Sequence, residues 1–128
     1  MIWDFKGDRP IYIQLIEQIQ MCIVSGHYPA GSKLPAVRDL AAEASVNPNT
    51  MQKALAELER DGLLHTQRTA GRFITEDQDM IKGIREKLAR EQVDLFFEKM
   101  GQLGISREET LRMLQKAASE PRQEKESA

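Results

Sequence analysis

The chain contains a single cysteine among its 128 residues. No intramolecular disulfide can form, and a zinc site built on several cysteines is excluded. Cys22 lies among Met21, Ile23 and Val24, where a small buried hydrophobe is expected rather than a redox centre. Aromatic residues are scarce at 5%, so the core must come mainly from Leu, Ile, Val, Met and Ala, and an apolar content of 41% can supply it. No run approaches the ~18–20 apolar residues that span a bilayer. The opening residues, Met1-Ile2-Trp3-Asp4-Phe5-Lys6-Gly7-Asp8, bring acids early and no apolar stretch, unlike a secretory signal. The expectation is a soluble, cytoplasmic protein with no membrane partner.

Catalytic equipment is equally thin. The two histidines, His27 and His65, fall in a turn and on a predicted strand, far apart and outside any ligand-spacing motif. The glycines mark helix ends and turns instead of gathering into a phosphate-cradling loop. The carboxylates lie in mixed-charge helices, which read as solvated faces. No catalytic residue, no metal site and no cofactor is assigned. An excess of positive charge is missing too. The net charge is −2, and residues 1–75 hold eight Lys/Arg against eight Asp/Glu. Any nucleic-acid footprint must therefore be local.

What the chain does have is helical periodicity, punctuated by proline and glycine. After an arm at 1–7, in which Trp3 and Phe5 can pack, a helix is predicted from Pro10, a residue suited to the first helical position. Ile11, Leu15, Ile19 and Ile23 form its buried stripe, and Gly26 ends it. A second helix is predicted from Pro35-Ala36 to about Ala44, with Leu34, Val37, Leu40 and Ala41 inward. A third follows at once, with Asn47 as N-cap and Pro48 in its first turn. It runs to Asp61-Gly62, with Met51, Ala54, Leu55 and Leu58 inward. Leu63–Gln67 and Arg72–Thr75 then read as two strands joined at Thr69-Ala70-Gly71. Three helices and a β-hairpin, in that order, make a winged helix-turn-helix. The fold class is mainly α with a small hairpin.

A fourth helix is predicted over about 77–102. Ser106-Arg107-Glu108-Glu109 is a capping box that opens a fifth, running to about Ala118. Leu88, Leu95, Phe96 and Met100 on the fourth, with Leu111 and Leu114 on the fifth, are more apolar surface than one helical hairpin can hide, and they point to a homodimer. The expected division is a DNA-binding domain at 1–75, a helical dimerisation segment at 76–118 and a disordered tail at 119–128.

The third helix carries the functional signal. Asn47, Asn49, Thr50, Gln52 and Lys53 crowd its first turns, on the element that a helix-turn-helix presents to the major groove. Asn and Gln amides pair with an adenine edge, Thr meets a base or a thymine methyl, and Lys reaches guanine or phosphate. Asn47 also suits a purely structural cap. Arg38, beside inward Val37 and Leu40, should point outward as a phosphate clamp or base reader. An ion pair with Asp39 or Glu43 is the alternative. Lys33 precedes that helix as a phosphate candidate. Arg68 and Arg72 flank the hairpin turn, where a wing reaches the narrow, negative minor groove.

Taken together, Tyr12-Ile13-Gln14, the run from Gly26 to Pro35, Val37-Arg38-Asp39-Leu40-Ala41, Asn47-Pro48-Asn49-Thr50, the run from Leu58 to Leu64 and Gly71-Arg72-Phe73-Ile74 resemble the DNA-binding domain of GntR-family transcription regulators. The likeness covers about residues 9–75, and the Asn-Pro-Asn-Thr turn with a short C-terminal extension is most similar to the YtrA-like subfamily. The resemblance implies a bacterial homodimer on an inverted-repeat operator in double-stranded DNA, often a repressor of operons that include ABC-transporter genes. It also implies DNA contacts at Arg38, Asn49, Thr50, Gln52, Arg68 and Thr69. Two departures stand out. Ala36 replaces a serine that would cap the second helix. The wing reads Thr69-Ala70-Gly71-Arg72 where Gly-x-Gly-Thr is common, so Arg72 adds a cation. The stretch after the hairpin is too short for a separate ligand-binding domain. A small-molecule effector would bind between the wing domain and the fourth helix or at the dimer interface. A winged helix serving as a protein-interaction module is the competing reading.

Overall fold

Proline has a fixed φ and no N–H, which makes Pro10 a natural entry into a helix. In the computed structural model, which describes residues 3–121, Pro10 is the N-cap of α1 (Ile11–Val24), with an extended ψ of 140°. The helix therefore starts one residue later than expected. Leu15, Ile19 and Ile23 are buried, joined by Cys22. Ile11 is a correction: it is 38% exposed, because the first residue of the helix stands one full turn ahead of the first buried leucine.

Gln14 is buried at 2% exposure, which the apolar periodicity gave no reason to expect. Its Oε1 accepts from the Lys6 N–H at 2.7 Å, and its Nε2 donates to the carbonyls of Lys6 at 2.7 Å and Arg9 at 2.9 Å. One side chain thus fastens the arm to α1, while Trp3 and Phe5 pack against the core with ring centroids 6.2 Å apart. Gln14→Leu keeps the volume and strands these backbone groups. It should cost about 2 kcal/mol in urea denaturation with m unchanged. A loss under about 0.5 kcal/mol, within the range of ordinary surface substitutions, would mean that water replaces the amide.

α2 (Val37–Ala44) starts from Ala36 with no side-chain cap, and Asp39 lies in its first turn. Ser45 ends it in the left-handed region, at φ 56° and ψ 43°. That conformation costs an L-residue roughly 1–2 kcal/mol. It reverses the chain so that α3 (Pro48–Arg60) can begin three residues later. The Asn47 side chain accepts from the Asn49 N–H at 2.8 Å, as a cap should. Met51, Ala54, Leu55 and Leu58 are fully buried, packing α3 against α1 and α2. Gly62, at φ +87°, closes the turn after α3, where an added Cβ would come within 3.1 Å of Met80 Cε.

β1 (Leu64–Gln67) and β2 (Gly71–Ile74) pair antiparallel, from Leu64 opposite Ile74 to Gln67 opposite Gly71. The hairpin gains a third partner that was not foreseen. Lys33 bridges to Phe73, the Leu34 N–H donates to the Arg72 carbonyl at 2.9 Å, and the Ile74 N–H donates to the Ser32 carbonyl at 2.8 Å. The segment before α2 is thereby laced onto the wing.

The chain forms two compact units, Met1–Leu88 and Ala89–Ala128. The first runs past residue 75 because Met80, Ile81 and Ile84, in the first turns of α4 (Gln78–Gln102), pack on its core. In the second, the end of α4 turns at Gly104 into α5 (Arg107–Ser119). The Ser106 hydroxyl accepts from the Glu109 N–H at 3.1 Å, and buried Thr110 donates back to the Ser106 carbonyl at 2.8 Å. Ser119 is still helical, and residues 122–128 of the expected tail lie outside the described residues.

Candidate nucleic-acid interface

A helix start leaves N–H groups without partners, and polar side chains placed there face solvent unless packing claims them. Asn49, Gln52 and Lys53 are exposed on the first turns of α3, and Thr50 is half-buried. Asn47 is exposed as well, but its Oδ1 is committed to the cap. Lys53 is not a loose surface lysine. Its Nζ lies 4.0 Å from the centroid of the Tyr12 ring on α1. Ile11, Tyr12, Asn49, Thr50 and Lys53 line a shallow hollow of about 410 Å³. Tyr12 escaped the sequence-based selection because its partner is remote in the chain.

Arg38 is exposed on α2 and makes no ion pair among the described residues. One of its two foreseen partners is engaged elsewhere, since Glu43 accepts from the Trp3 indole N–H at 3.4 Å. The acids in the far half of α3 are also occupied. Glu57 pairs with Arg60 at 2.8 Å, and Glu59 accepts from the Thr66 hydroxyl, tying α3 to β1.

At the wing, the Ala70 N–H donates to the Gln67 carbonyl at 3.0 Å and closes the turn, leaving Arg68 and Thr69 exposed at the tip. Gly71 sits at φ +100°, with Lys33 Cε 3.2 Å from where a Cβ would stand. Glycine is needed there for its backbone angle, and a side chain would also press on the end of the Lys33 stem. Arg72 is half-buried, and its Nε is buried without a hydrogen-bond partner. Lys33, Arg72, Thr66 and Thr69 line a groove of about 760 Å³ between the wing and the start of α2, with Asp39 on its wall. The fold therefore gathers Lys33, Thr69 and Arg72 in one groove and Asn49, Thr50 and Lys53 in one hollow. Arg38, Gln52 and Arg68 line neither.

The remaining titratable peculiarities belong to the core. Burial pushes the Cys22 thiol up, and burial with help from the Glu43 charge pushes Tyr28 up to about 12. Both stay neutral at physiological pH. No cluster of three His, Cys, Asp or Glu residues able to hold a metal occurs among the described residues, and none of their helices is long and apolar enough to cross a membrane. Of the six apolar residues singled out on the last two helices, Leu88 and Met100 are half-buried. Leu95, Phe96, Leu111 and Leu114 are exposed, alongside Val93, Leu103 and Met113.

Residues 11–74 match the bacterial regulatory proteins of the gntR family. The HTH-type transcriptional repressor YtrA of Bacillus subtilis (strain 168) is 37% identical over 100 residues, which cover 73% of this chain and 77% of the repressor. The solved structure of a GntR family transcriptional regulator from Listeria monocytogenes superposes with a TM-score of 0.79 at 38% identity, covering 88% of this chain and 98% of that one. The DNA-binding domain of AraR, solved in complex with operator ORX1, superposes with a TM-score of 0.54 at 28% identity, covering 59% of this chain and 96% of that one.

Proposed function

This chain belongs to the gntR family of bacterial regulatory proteins and is YtrA-like, and on that premise we propose that it is a homodimeric repressor that reads an inverted-repeat operator. Proteins of this family are DNA-binding regulators of transcription, not enzymes. In this reading residues 1–75 bind DNA, residues 76–118 hold the dimer, and the protein works in the cytoplasm. The observation that carries it is the set of exposed hydrogen-bonding side chains, Asn49, Gln52 and Lys53, on the first turns of α3, together with an exposed Arg38 on α2 that makes no ion pair among the described residues.

Each element has a physical role. Asn49, Thr50 and Gln52 face base edges in the major groove, where amides and hydroxyls discriminate. Asn47 caps the helix and brings its remaining amide N–H groups to the same end. Lys53 and Arg38 supply charge at either side. Lys33, Thr69 and Arg72 take sugar-phosphate backbone into the wing groove, and Arg68 at the tip reaches the minor groove. The Leu95, Phe96, Leu111 and Leu114 surface holds the two protomers together, and operator half-sites about one DNA turn, or a multiple of it, apart take one α3 each. The regulated operon is proposed to include ABC-transporter genes, and any effector would act beside α4 or at the dimer interface.

Fluorescence titration against the gene's own upstream region tests this. Specific affinity should exceed non-specific affinity by roughly 10³-fold or more, and log K should fall steeply and linearly with log salt. Equal affinity for all sequences would overturn it. The competing reading, a protein-interaction module, draws on the neutral charge of residues 1–75 and predicts that second result.

A further inference from the structure

Lysine carries a compact charge on a flexible stem, so it reads poorly unless something holds it. The usual holder is a carboxylate, which neutralises the charge and competes with a nucleic acid for it. Lys53 makes no ion pair among the described residues. It is held by an aromatic face instead, with Nζ 4.0 Å from the Tyr12 ring centroid. Tyr12 is half-buried on α1, the helix packed against α3, so the ring is a firm support. A ring face takes one side of an ammonium and leaves its remaining N–H groups as donors, with the charge intact. The same hollow is lined by Asn49 and Thr50.

Resting on α3 as the recognition helix, we propose that Tyr12 is a positioning residue for operator binding. Its ring seats the Lys53 ammonium beside Asn49 and Thr50, with no carboxylate among the described residues competing for it, where it meets an acceptor of the DNA. Tyr12 itself touches no DNA; it fixes the group that does.

The test uses the full chain and the duplex that the wild-type protein selects from a random-sequence pool, titrated at several salt concentrations. Tyr12→Leu and Lys53→Met should each weaken binding about tenfold. The double variant should be no weaker than either alone, as expected of one coupled unit. Tyr12→Phe, which keeps the ring, should bind like the wild type. A salt slope shallower by about 0.9 for each phosphate no longer neutralised identifies the acceptor as phosphate, whereas relaxed preference at one base pair identifies guanine; either supports the role. Additive losses overturn it, as does a Tyr12→Phe variant as weak as Tyr12→Leu. If Tyr12→Leu fails to fold, the ε-methylene protons of Lys53 decide. A ring-current shift present in the wild type and in Tyr12→Phe supports the seat, and its absence from the wild type refutes it. A pool that yields no preferred sequence overturns both the recognition-helix reading and the role of Tyr12.

Discussion

Replacing Arg38 by alanine is expected to abolish specific operator binding while leaving the fold untouched. The side chain is exposed and makes no ion pair among the described residues, so its removal leaves no buried partner stranded. An exposed substitution of this kind changes stability by no more than about 0.5 kcal/mol. On DNA the forked guanidinium becomes a two-bond donor to guanine or phosphate, worth about 1–3 kcal/mol at a good bidentate site. The proposed dimer would lose it twice. The combined loss of about 2–6 kcal/mol corresponds to a drop from roughly 30-fold to beyond 10⁴-fold in affinity. Titration of Arg38→Ala against operator and scrambled duplexes measures it. Uniform weakening across sequences assigns Arg38 to phosphate, and selective loss on the operator assigns it to a base. Unchanged affinity would place Arg38 outside the interface.

The second large effect concerns the apolar surface of the C-terminal unit. Leu95 and Leu114 are 44% and 38% exposed, so glutamate at both sites can keep its charge in water within a single protomer. Across a two-fold interface the same charges would be buried against like charges and apolar neighbours, at a cost of several kcal/mol. The doubly substituted Leu95→Glu, Leu114→Glu chain should sediment as a monomer with its helicity retained. Its operator affinity should fall by roughly 10²–10⁴-fold, the gain that linking two binding events supplies. Its affinity for a single half-site should stay as in the wild type. A variant that remains dimeric would place the interface elsewhere.

Where the fold is local, it could be read from the sequence. Met51, Ala54, Leu55 and Leu58 occupy one face by spacing alone, and Asn47-Pro48 marks the start of α3 because cap and proline chemistry act within three residues. The Ser106 cap of α5 is legible for the same reason. What escaped was non-local. Ile11 fits the four-residue stripe, yet the core stops one turn short of it. Gln14 breaks an apolar pattern, and its burial makes sense only once the arm folds back to offer the backbone of Lys6 and Arg9. A single bridge from Lys33 to Phe73 has no alternation to announce it. The candidate interface divides in the same way. Exposure of Asn49, Gln52 and Arg38 follows from helical phase, whereas the support of Lys53 by Tyr12 depends on how α1 crosses α3.

The lacing of residues 32–34 onto β2 also bears on the entropy and speed of association. An isolated two-stranded hairpin is marginally stable, and ordering one on contact with a ligand would subtract roughly 1–2 kcal/mol per residue fixed. Here the Ser32 carbonyl and the Leu34 N–H already hold both sides of Phe73 through its neighbours Ile74 and Arg72. The base of the wing is ordered during folding, before any duplex arrives. At the tip the Ala70 N–H closes the turn, and the exposed side chains of Arg68 and Thr69 are what remains to be ordered. If the wing meets DNA as proposed, the encounter resembles the docking of a preformed surface, and differences in affinity among operator variants should appear mainly in how long the complex lasts.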